Sequence, residues 1–136
     1  MESETMIAQK RIGIETIASF FNIIGFTTSI KQTVEGRSGA KYVVDMVAKK
    51  AEAPIERFIL VKCKLPEKAE LLRVDEVTEF WAKTFDIGAD RGIIITTSKL
   101  DENAERYARF NKIPIIQGKN ADELKKEILL QWHEEY

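Results

Sequence analysis

The run Gly92-Ile93-Ile94-Ile95-Thr96-Thr97 constrains the fold of this 136-residue chain more than any other segment. Three consecutive isoleucines cannot alternate between a buried and a solvated face, so the run suits a strand that is covered on both faces. Segments with apolar residues at helical spacing lie on either side of it, from Glu70 to Phe85 and from Asp101 to Asn111. A buried strand between two helices predicts an α/β fold.

The other elements follow from apolar spacing and turn residues. A first helix is predicted from Met6 to Ile24, and a last helix runs from its cap at Asn120 to Trp132. The remaining strands are predicted at Phe26 to Lys31, Tyr42 to Lys49, Arg57 to Leu65 (after a turn with Pro54) and Ile113 to Ile116. We therefore predict the order αβββαβαβα. The first three strands form an antiparallel meander in a mixed sheet, and helical crossovers join the last two, with helices on both sides.

The composition is that of one globular domain, and we expect residues 1–136 to form it. With 21 basic and 22 acidic residues the net charge is −1, which argues mildly against tight non-specific DNA binding but leaves a local basic patch open. The single cysteine, Cys63, and the single histidine, His133, exclude a disulfide, a zinc site or a histidine triad within one chain. Without a signal peptide, a membrane-length apolar run or a phosphate-loop motif, we expect a cytoplasmic protein that uses no nucleotide cofactor.

Two of the predicted strands carry charged residues among apolar ones. Asp45 lies in the middle of its strand, and a buried carboxylate needs a cation, a metal or hydrogen-bond donors. In the next strand, alternation places Lys62 and Lys64 on one face. If the two strands pair as a hairpin, Asp45 can lie beside one of these lysines. An ion pair without a catalytic role would produce the same pattern.

This arrangement resembles the signature of the PD-(D/E)xK, or restriction-endonuclease-like, superfamily, in which an Asp on one strand precedes an acid-x-Lys tripeptide on the next. The Mrr-like branch is the most similar, and it often has glutamine in place of the second acid. That branch typically shows a Phe-Glu helix start, a Gly-aromatic turn, an Asp-containing strand, a Gln-Cys-Lys strand, a Thr-Thr-Ser strand end and an Ala-x-x-Tyr-Ala helix. The counterparts in this chain occur in the same order: Ile14-Glu15, Gly25-Phe26, Asp45-Met46-Val47-Ala48, Lys62-Cys63-Lys64, Ile95-Thr96-Thr97-Ser98 and Ala104-Glu105-Arg106-Tyr107-Ala108.

The resemblance implies a restriction-endonuclease-like fold and a DNA nuclease site that uses Mg²⁺ or Mn²⁺. Asp45 and Glu15 would hold the metal, and Lys64 would assist the attacking water. The candidate DNA contacts are Arg37, Lys41 and Lys62. A plain turn with exposed cations is the simpler interpretation of the loop that holds the first two. Members of the family often carry a separate DNA-binding domain, so a second copy of this chain or a partner protein would supply target affinity.

Lys62 departs from the family pattern, because it stands where the second metal-binding acid or its glutamine substitute is expected. A lysine cannot coordinate Mg²⁺, and its charge opposes a divalent ion nearby. Three explanations remain open. The acid has moved to the following helix, as Glu76 or Glu79; or Asp45 and Glu15 suffice with waters and phosphate oxygens; or the site no longer cleaves and the domain binds DNA or serves as a structural subunit. A small-ligand domain is a further class of function, which no cofactor motif supports.

Overall fold

The computed structural model describes residues 12–52 and 55–135. These residues form the elements α1 (Ile14–Ile23), β1 (Thr27–Glu35), β2 (Lys41–Glu52), β3 (Ile55–Lys64), α2 (Val74–Ile87), β4 (Arg91–Thr96), α3 (Glu102–Asn111), β5 (Ile115–Gln117) and α4 (Ala121–Glu135). The predicted order αβββαβαβα is confirmed. The start of the predicted first helix, at Met6, and the turn at Pro54 lie outside the described residues. None of the helices in the described ranges is long and apolar enough to cross a membrane.

The five strands form one sheet in the order β1-β2-β3-β4-β5. The first three strands are antiparallel neighbours, and β4 and β5 continue the sheet in parallel with β3. Each parallel connection runs through a helix, as parallel neighbours require. The predicted meander and the predicted crossovers are therefore both present.

Helices cover both faces of the sheet and create two cores. The first core lies under α1 and α4 and includes Ile17, Phe21, Met46, Leu124 and Ile128. The second core lies under α2 and α3 and includes Val44, Leu60, Val77, Phe80 and Ala104. The isoleucines of β4 are divided between the two cores, since Ile93 and Ile95 belong to the first and Ile94 to the second. This division confirms a central strand that is covered on both faces.

Helix α2 begins at Val74 and not at Glu70, where apolar spacing placed its start. Leu72 instead forms an isolated β-bridge, which holds the segment before the helix in an extended conformation. The side chain of Glu76 caps the amino end of the helix, because its Oε2 accepts a hydrogen bond of 3.0 Å from the Arg73 amide. The extended segment matters for the site, because it carries Glu70 past the end of β3.

In the β1–β2 hairpin, the alternation of side chains between the two faces of the sheet is interrupted at Lys31 and Asp45. Strand β1 continues past Lys31 to Glu35 and pairs with β2 on both sides of this point. In β2, Met46 packs in the first core and Val44 in the second, although residues two apart share a face in a regular strand. Lys31 has a φ of 51°, in the left-handed region that interrupts regular strand geometry. Asp45 therefore stands where the alternation of β2 is broken.

Candidate functional site

Strands β2 and β3 separate at one end, and Asp45 lies in the gap. Pairing between the two strands ends at Met46 and Val61, while β3 continues beside β4 as far as Lys64. Asp45 Oδ2 accepts a hydrogen bond of 2.8 Å from the Cys63 amide. The carboxylate thus takes the place of a backbone acceptor, which satisfies a partly buried donor and fixes its own orientation.

A small cavity of about 60 Å³ opens beside Asp45 on the α2 side of the sheet. Its lining comprises Val43, Val44, Asp45, Val61, Lys62, Glu76, Glu79, Phe80 and Lys83. Three of these side chains are carboxylates and two are lysines, and Lys64 adds a third lysine through its contact with Glu76. Within the lining, Lys83 Nζ lies 3.4 Å from Glu79 Oε1. Lys64 also binds Glu70, so the cavity and its immediate surroundings hold four acids and three lysines, a net charge of about −1.

Lys64 binds two carboxylates, neither of which belongs to β2. Its Nζ lies 2.9 Å from Glu76 Oε1 and 3.0 Å from Glu70 Oε1. The hydrogen bond with Glu76 raises the pKa of Lys64, burial lowers it in part, and the hydrogen bond with Glu70 raises it again. Lys64 is therefore held in its charged form, with its ammonium group engaged by protein.

Both carboxylate oxygens of Glu76 are occupied. Oε1 accepts from Lys64, and Oε2 accepts from the Arg73 amide at the start of α2. Burial raises the pKa of Glu76, but the hydrogen bonds from Arg73 and Lys64 outweigh burial, so the pKa of Glu76 is lowered overall. Glu76 is ionised at neutral pH, and it serves at once as a helix cap and as an ion-pair partner.

Of the two lysines at the end of β3, Lys62 is the one that lines the cavity with Asp45. Within the described residues the Lys64 ammonium group bonds to Glu76 and Glu70 and not to Asp45. The break in alternation at Asp45 explains why strand periodicity alone could not assign its neighbour. The sequence did contain one indication of the pairings, because Glu79 and Lys83 stand at the i,i+4 spacing of a helical ion pair.

The Cys63 side chain points away from the charged residues of the cavity. Its side chain packs against the first core, on the face opposite to Lys62 and Lys64. Burial, together with the negative charge of Asp45, raises the pKa of Cys63 to about 12, although Lys62 lowers it slightly. The thiol therefore stays protonated at neutral pH, which is the state of a packing residue and not of a nucleophile.

Glu15 lies apart from the cavity. It is exposed on α1, the helix that covers the first core, whereas the cavity lies beside α2. Its carboxylate folds back over Gly13 at the start of the helix. The structure thus does not bring Glu15 together with Asp45, and a role for Glu15 as a metal ligand stays a prediction.

The loop between β1 and β2 is attached to the carboxyl end of α2. The Arg37 guanidinium donates to the backbone carbonyls of Phe85 and Asp86, where a cation also complements the helix dipole. Its guanidinium carbon lies 5.6 Å from the centre of the Phe85 ring. Lys41 is exposed at the start of β2. Arg37 is therefore engaged in fastening the loop, while Lys41 keeps its ammonium group in solvent.

Asp86 is the central acceptor of this attachment. Its carboxylate accepts hydrogen bonds from the Ser38 amide at 2.9 Å, from the Ser38 hydroxyl at 2.6 Å and from the Tyr42 hydroxyl at 2.6 Å. The hydrogen bonds from Ser38 and Tyr42 lower the pKa of Asp86, and the bond to Asp86 raises the pKa of Tyr42. The loop ahead of Asp45 is thereby held by a carboxylate that must remain ionised.

Replacing Asp86 with asparagine is expected to lower the free energy of unfolding at neutral pH. One carboxylate oxygen becomes an amide nitrogen, which cannot accept the hydrogen bonds that the Ser38 and Tyr42 hydroxyls donate. A lowered folded-state pKa stabilises the protein above the ordinary aspartate value of 3.8, and this contribution is lost as the pH falls through the folded-state pKa. Urea midpoints of wild type and Asp86→Asn should therefore converge below pH 3.8. A difference that persists unchanged in acid would contradict this role of Asp86.

The donor set of the cavity fits a divalent cation poorly. In the part of the chain that the structure describes, no three Asp, Glu, Cys or His side chains are placed to hold one metal ion. Mg²⁺ and Mn²⁺ are bound by oxygen ligands that are free to coordinate, but Glu76 is held by Lys64 and Glu79 by Lys83. Lys62 adds a positive charge to the same small space. The residues present do not fit the metal that the resemblance implies.

The Mrr_cat family, described as restriction endonuclease, matches residues 14–124 of the chain. The chain belongs to this family. The match spans the elements from α1 to β5 and includes Asp45, Lys62 and Lys64. This member of the restriction endonuclease family therefore has a nuclease fold, and the resemblance to the Mrr-like branch is confirmed. A comparison with curated proteins finds no match.

Two solved structures are similar to this restriction endonuclease-family domain. AF1548, a protein of unknown function, is 21% identical with a TM-score of 0.66, and the alignment covers 84% of this chain and 64% of AF1548. The DNA modification-dependent restriction endonuclease AspBHI is 16% identical with a TM-score of 0.54, and the alignment covers 82% of this chain and 29% of AspBHI. The chain thus spans about two thirds or less of each structure, and the likeness concerns the fold.

Proposed function

We propose that this domain binds DNA without hydrolysing it, as a DNA-binding or structural subunit with a restriction-endonuclease fold. The observation that carries the proposal is the placement of lysines beside the carboxylates of the Asp45 cavity. Every cavity carboxylate is accompanied by a lysine, and Lys62 stands in the position of the second metal-binding acid. Carboxylates that are already engaged by lysines give a dication little electrostatic advantage, so family membership supports DNA as the partner while the site supports binding alone.

Two of the candidate DNA contacts fit this proposal. Lys41 is exposed ahead of Asp45, and Lys62 lies within the cavity lining at the gap between β2 and β3. Both can approach a phosphate as point charges, which would position the domain on DNA without reading its sequence. Arg37 supports the same surface indirectly, because its guanidinium fixes the loop that precedes Lys41.

Affinity for DNA is expected to depend on a second binding unit. The chain has a net charge of −1, and the electrostatic part of DNA binding grows with the number of phosphates that are neutralised. We therefore propose that the domain acts as a homodimer or with a partner protein, which would multiply weak contacts through effective concentration. The single cysteine supports a reducing compartment, and we place the domain in the cytoplasm.

A second candidate function is hydrolysis of DNA with Mg²⁺ or Mn²⁺, which one observation favours. Asp45 and Glu76 line the same cavity, and Glu76 lies on the helix that follows Lys64, where a relocated acid was predicted. This function would require Glu76 to exchange Lys64 for a metal ion, or Glu15 to approach Asp45 from α1. Neither rearrangement is needed for binding alone, which is why binding is the first proposal.

Binding of a fluorescent duplex in EDTA and in Mg²⁺ tests the proposal. We expect the affinity in Mg²⁺ to be no higher than in EDTA, because no metal ion takes part in binding and Mg²⁺ competes with the protein as a counterion of DNA. Lys62→Gln and Lys41→Gln should each lower the salt dependence of the binding constant by about 0.9 on a log–log plot, the effect of one phosphate contact. Lys126→Gln, an exposed lysine on α4, is the matched control and should leave the slope unchanged. Binding that appears only with Mg²⁺ would favour the second candidate.

A further inference from the structure

A groove of about 710 Å³ lies at the carboxyl ends of the three parallel strands, outside the Asp45 cavity. The segments that follow β3, β4 and β5 form it, together with the residue ahead of α1. Its lining comprises Ile12, Pro66, Glu67, Lys68, Ala69, Glu70, Leu71, Thr97, Ser98, Lys99, Lys119 and Asn120. The volume falls in the range of ligand sites, roughly 300–1,000 Å³, so the groove has room for more than a single ion.

The groove carries lysines that are not committed to ion pairs. Lys68, Lys99 and Lys119 are exposed, and none of the three forms a salt bridge with any residue in the described ranges. The lining also contains two acids, Glu67 and Glu70. Glu70 is held by Lys64, 3.0 Å away, although Lys64 is shared with Glu76 of the cavity. With three lysines and two acids the groove lining is net positive, in a chain whose net charge is slightly negative.

Ser98 provides an independent observation at the same place. It is 5% exposed, and among the described residues its Oγ has no hydrogen-bond partner. The backbone on either side of this hydroxyl is fixed, because the Ser98 amide donates to Thr96 Oγ1 and the Ser98 carbonyl accepts from Gln117. Buried hydroxyls without partners are rare and are commonly explained by a missing ligand or water. A polar ligand in the groove would supply the acceptor.

The groove adjoins the Asp45 cavity through one chain of contacts. Glu70 lines the groove and binds Lys64, and Lys64 binds Glu76, which lines the cavity. A polymer that contacts Lys62 in the cavity can therefore continue into the groove. A small ligand would occupy only one of the two sites.

We propose that this groove binds the phosphate backbone of DNA, with the Ser98 hydroxyl as a hydrogen-bond donor and Lys99 and Lys119 as neutralising charges. The inference rests on the proposed DNA binding and assigns it a second contact surface. Among the described residues no aromatic side chain lines the groove, so they offer no platform for stacking a base. Ammonium groups and a hydroxyl suit phosphate oxygens, which makes the contact independent of base sequence.

The salt dependence of DNA binding tests the two lysines. The double variant Lys99→Gln/Lys119→Gln should lower the slope of log K against log salt by about 1.8, which is two phosphate contacts. The matched control, Lys49→Gln/Lys126→Gln, removes two exposed lysines outside the groove and should keep the wild-type slope. If DNA binds and the groove variant keeps that slope as well, the groove proposal is overturned while DNA binding stands.

Ser98→Ala separates ligand binding from folding. Removing an unpartnered buried hydroxyl should leave the thermal midpoint of the free protein unchanged or raise it, yet lower DNA affinity about tenfold by deleting one hydrogen bond to a charged group. Unchanged affinity would show that the hydroxyl does not contact DNA. A lowered midpoint in the free protein would show that the Ser98 hydroxyl already has a structural partner. The hydroxyl would then not be available to a ligand, which would overturn its proposed role.

Titration of the wild type with inorganic phosphate, followed by amide NMR shifts, distinguishes failure of the groove from failure of DNA binding. We expect the largest shifts at Ser98, Lys99 and Lys119. If these amides respond to phosphate but the protein binds no DNA, the groove remains an anion site and the proposed function fails. If they do not respond to phosphate, the groove proposal fails, whatever the protein does with DNA.

Discussion

Lys62→Glu is expected to raise the affinity of the Asp45 cavity for Mn²⁺ about a hundredfold. The substitution changes the cavity charge by two units and adds a carboxylate beside Asp45. At an effective dielectric constant of about 20, each pair of unit charges about 5 Å apart interacts by roughly 3 kcal/mol. A gain of about a hundredfold therefore requires that only about one such interaction remains after solvent screening. Isothermal titration with Mn²⁺ measures the change directly.

Two further variants show whether Asp45 takes part in binding Mn²⁺. Lys62→Gln removes the positive charge without supplying an anionic ligand, and it should recover a small part of the gain. Adding Asp45→Asn to Lys62→Glu should abolish the gain, because only one cavity carboxylate that is not engaged by a lysine is then left. Mn²⁺ affinity in the wild type equal to that of Lys62→Glu would show that Lys62 does not oppose a metal ion.

Phe21→Ala is expected to lower the free energy of unfolding by about 3–5 kcal/mol. Phe21 is 0% exposed in the first core and meets the Phe26 ring edge-on, with ring centres 5.7 Å apart. Removing the ring leaves a cavity under α1 and removes this aromatic contact. Denaturation by guanidinium chloride measures the loss, which is large beside a total stability of about 5–15 kcal/mol for a domain of ordinary stability.

Ile23→Ala is the matched control for Phe21→Ala on the same helix. Ile23 is 62% exposed, so its replacement should change stability by no more than about 0.5 kcal/mol. Equal effects of the two substitutions would mean that α1 does not pack on the sheet through the face that contains Phe21. DNA affinity of either folded variant should match the wild type, since α1 lies on the face opposite to the cavity.

The arrangement of elements could be predicted because each one carries its own local signal. Consecutive isoleucines identified β4 as a strand with two covered faces, and Asp101 and Asn120 marked helix starts, where their side chains do accept hydrogen bonds from backbone amides. The boundary of α2 was missed by apolar spacing because the segment before Val74 pairs across space. Such pairing depends on Leu72 meeting a distant residue, which local periodicity does not record.

The site could be predicted only in part, because its partnerships depend on tertiary geometry. The sequence indicated that Asp45, Lys62 and Lys64 belong to one region. It could not indicate that β2 breaks its alternation at Asp45, or that Glu76 engages Lys64. Arg37 was a candidate for DNA contact by charge alone, whereas its contacts at the end of α2 arise from packing between segments far apart in the chain.

The most direct test of binding without hydrolysis is nicking of supercoiled DNA by the wild-type protein in Mg²⁺ and in Mn²⁺, beside Asp45→Asn. The asparagine can still accept the hydrogen bond from the Cys63 amide, so this control keeps the local structure while removing the charge. We predict that the wild type binds the DNA and nicks it no faster than Asp45→Asn. Nicking by the wild type that is lost in Asp45→Asn would contradict the proposal and identify the domain as a metal-dependent nuclease.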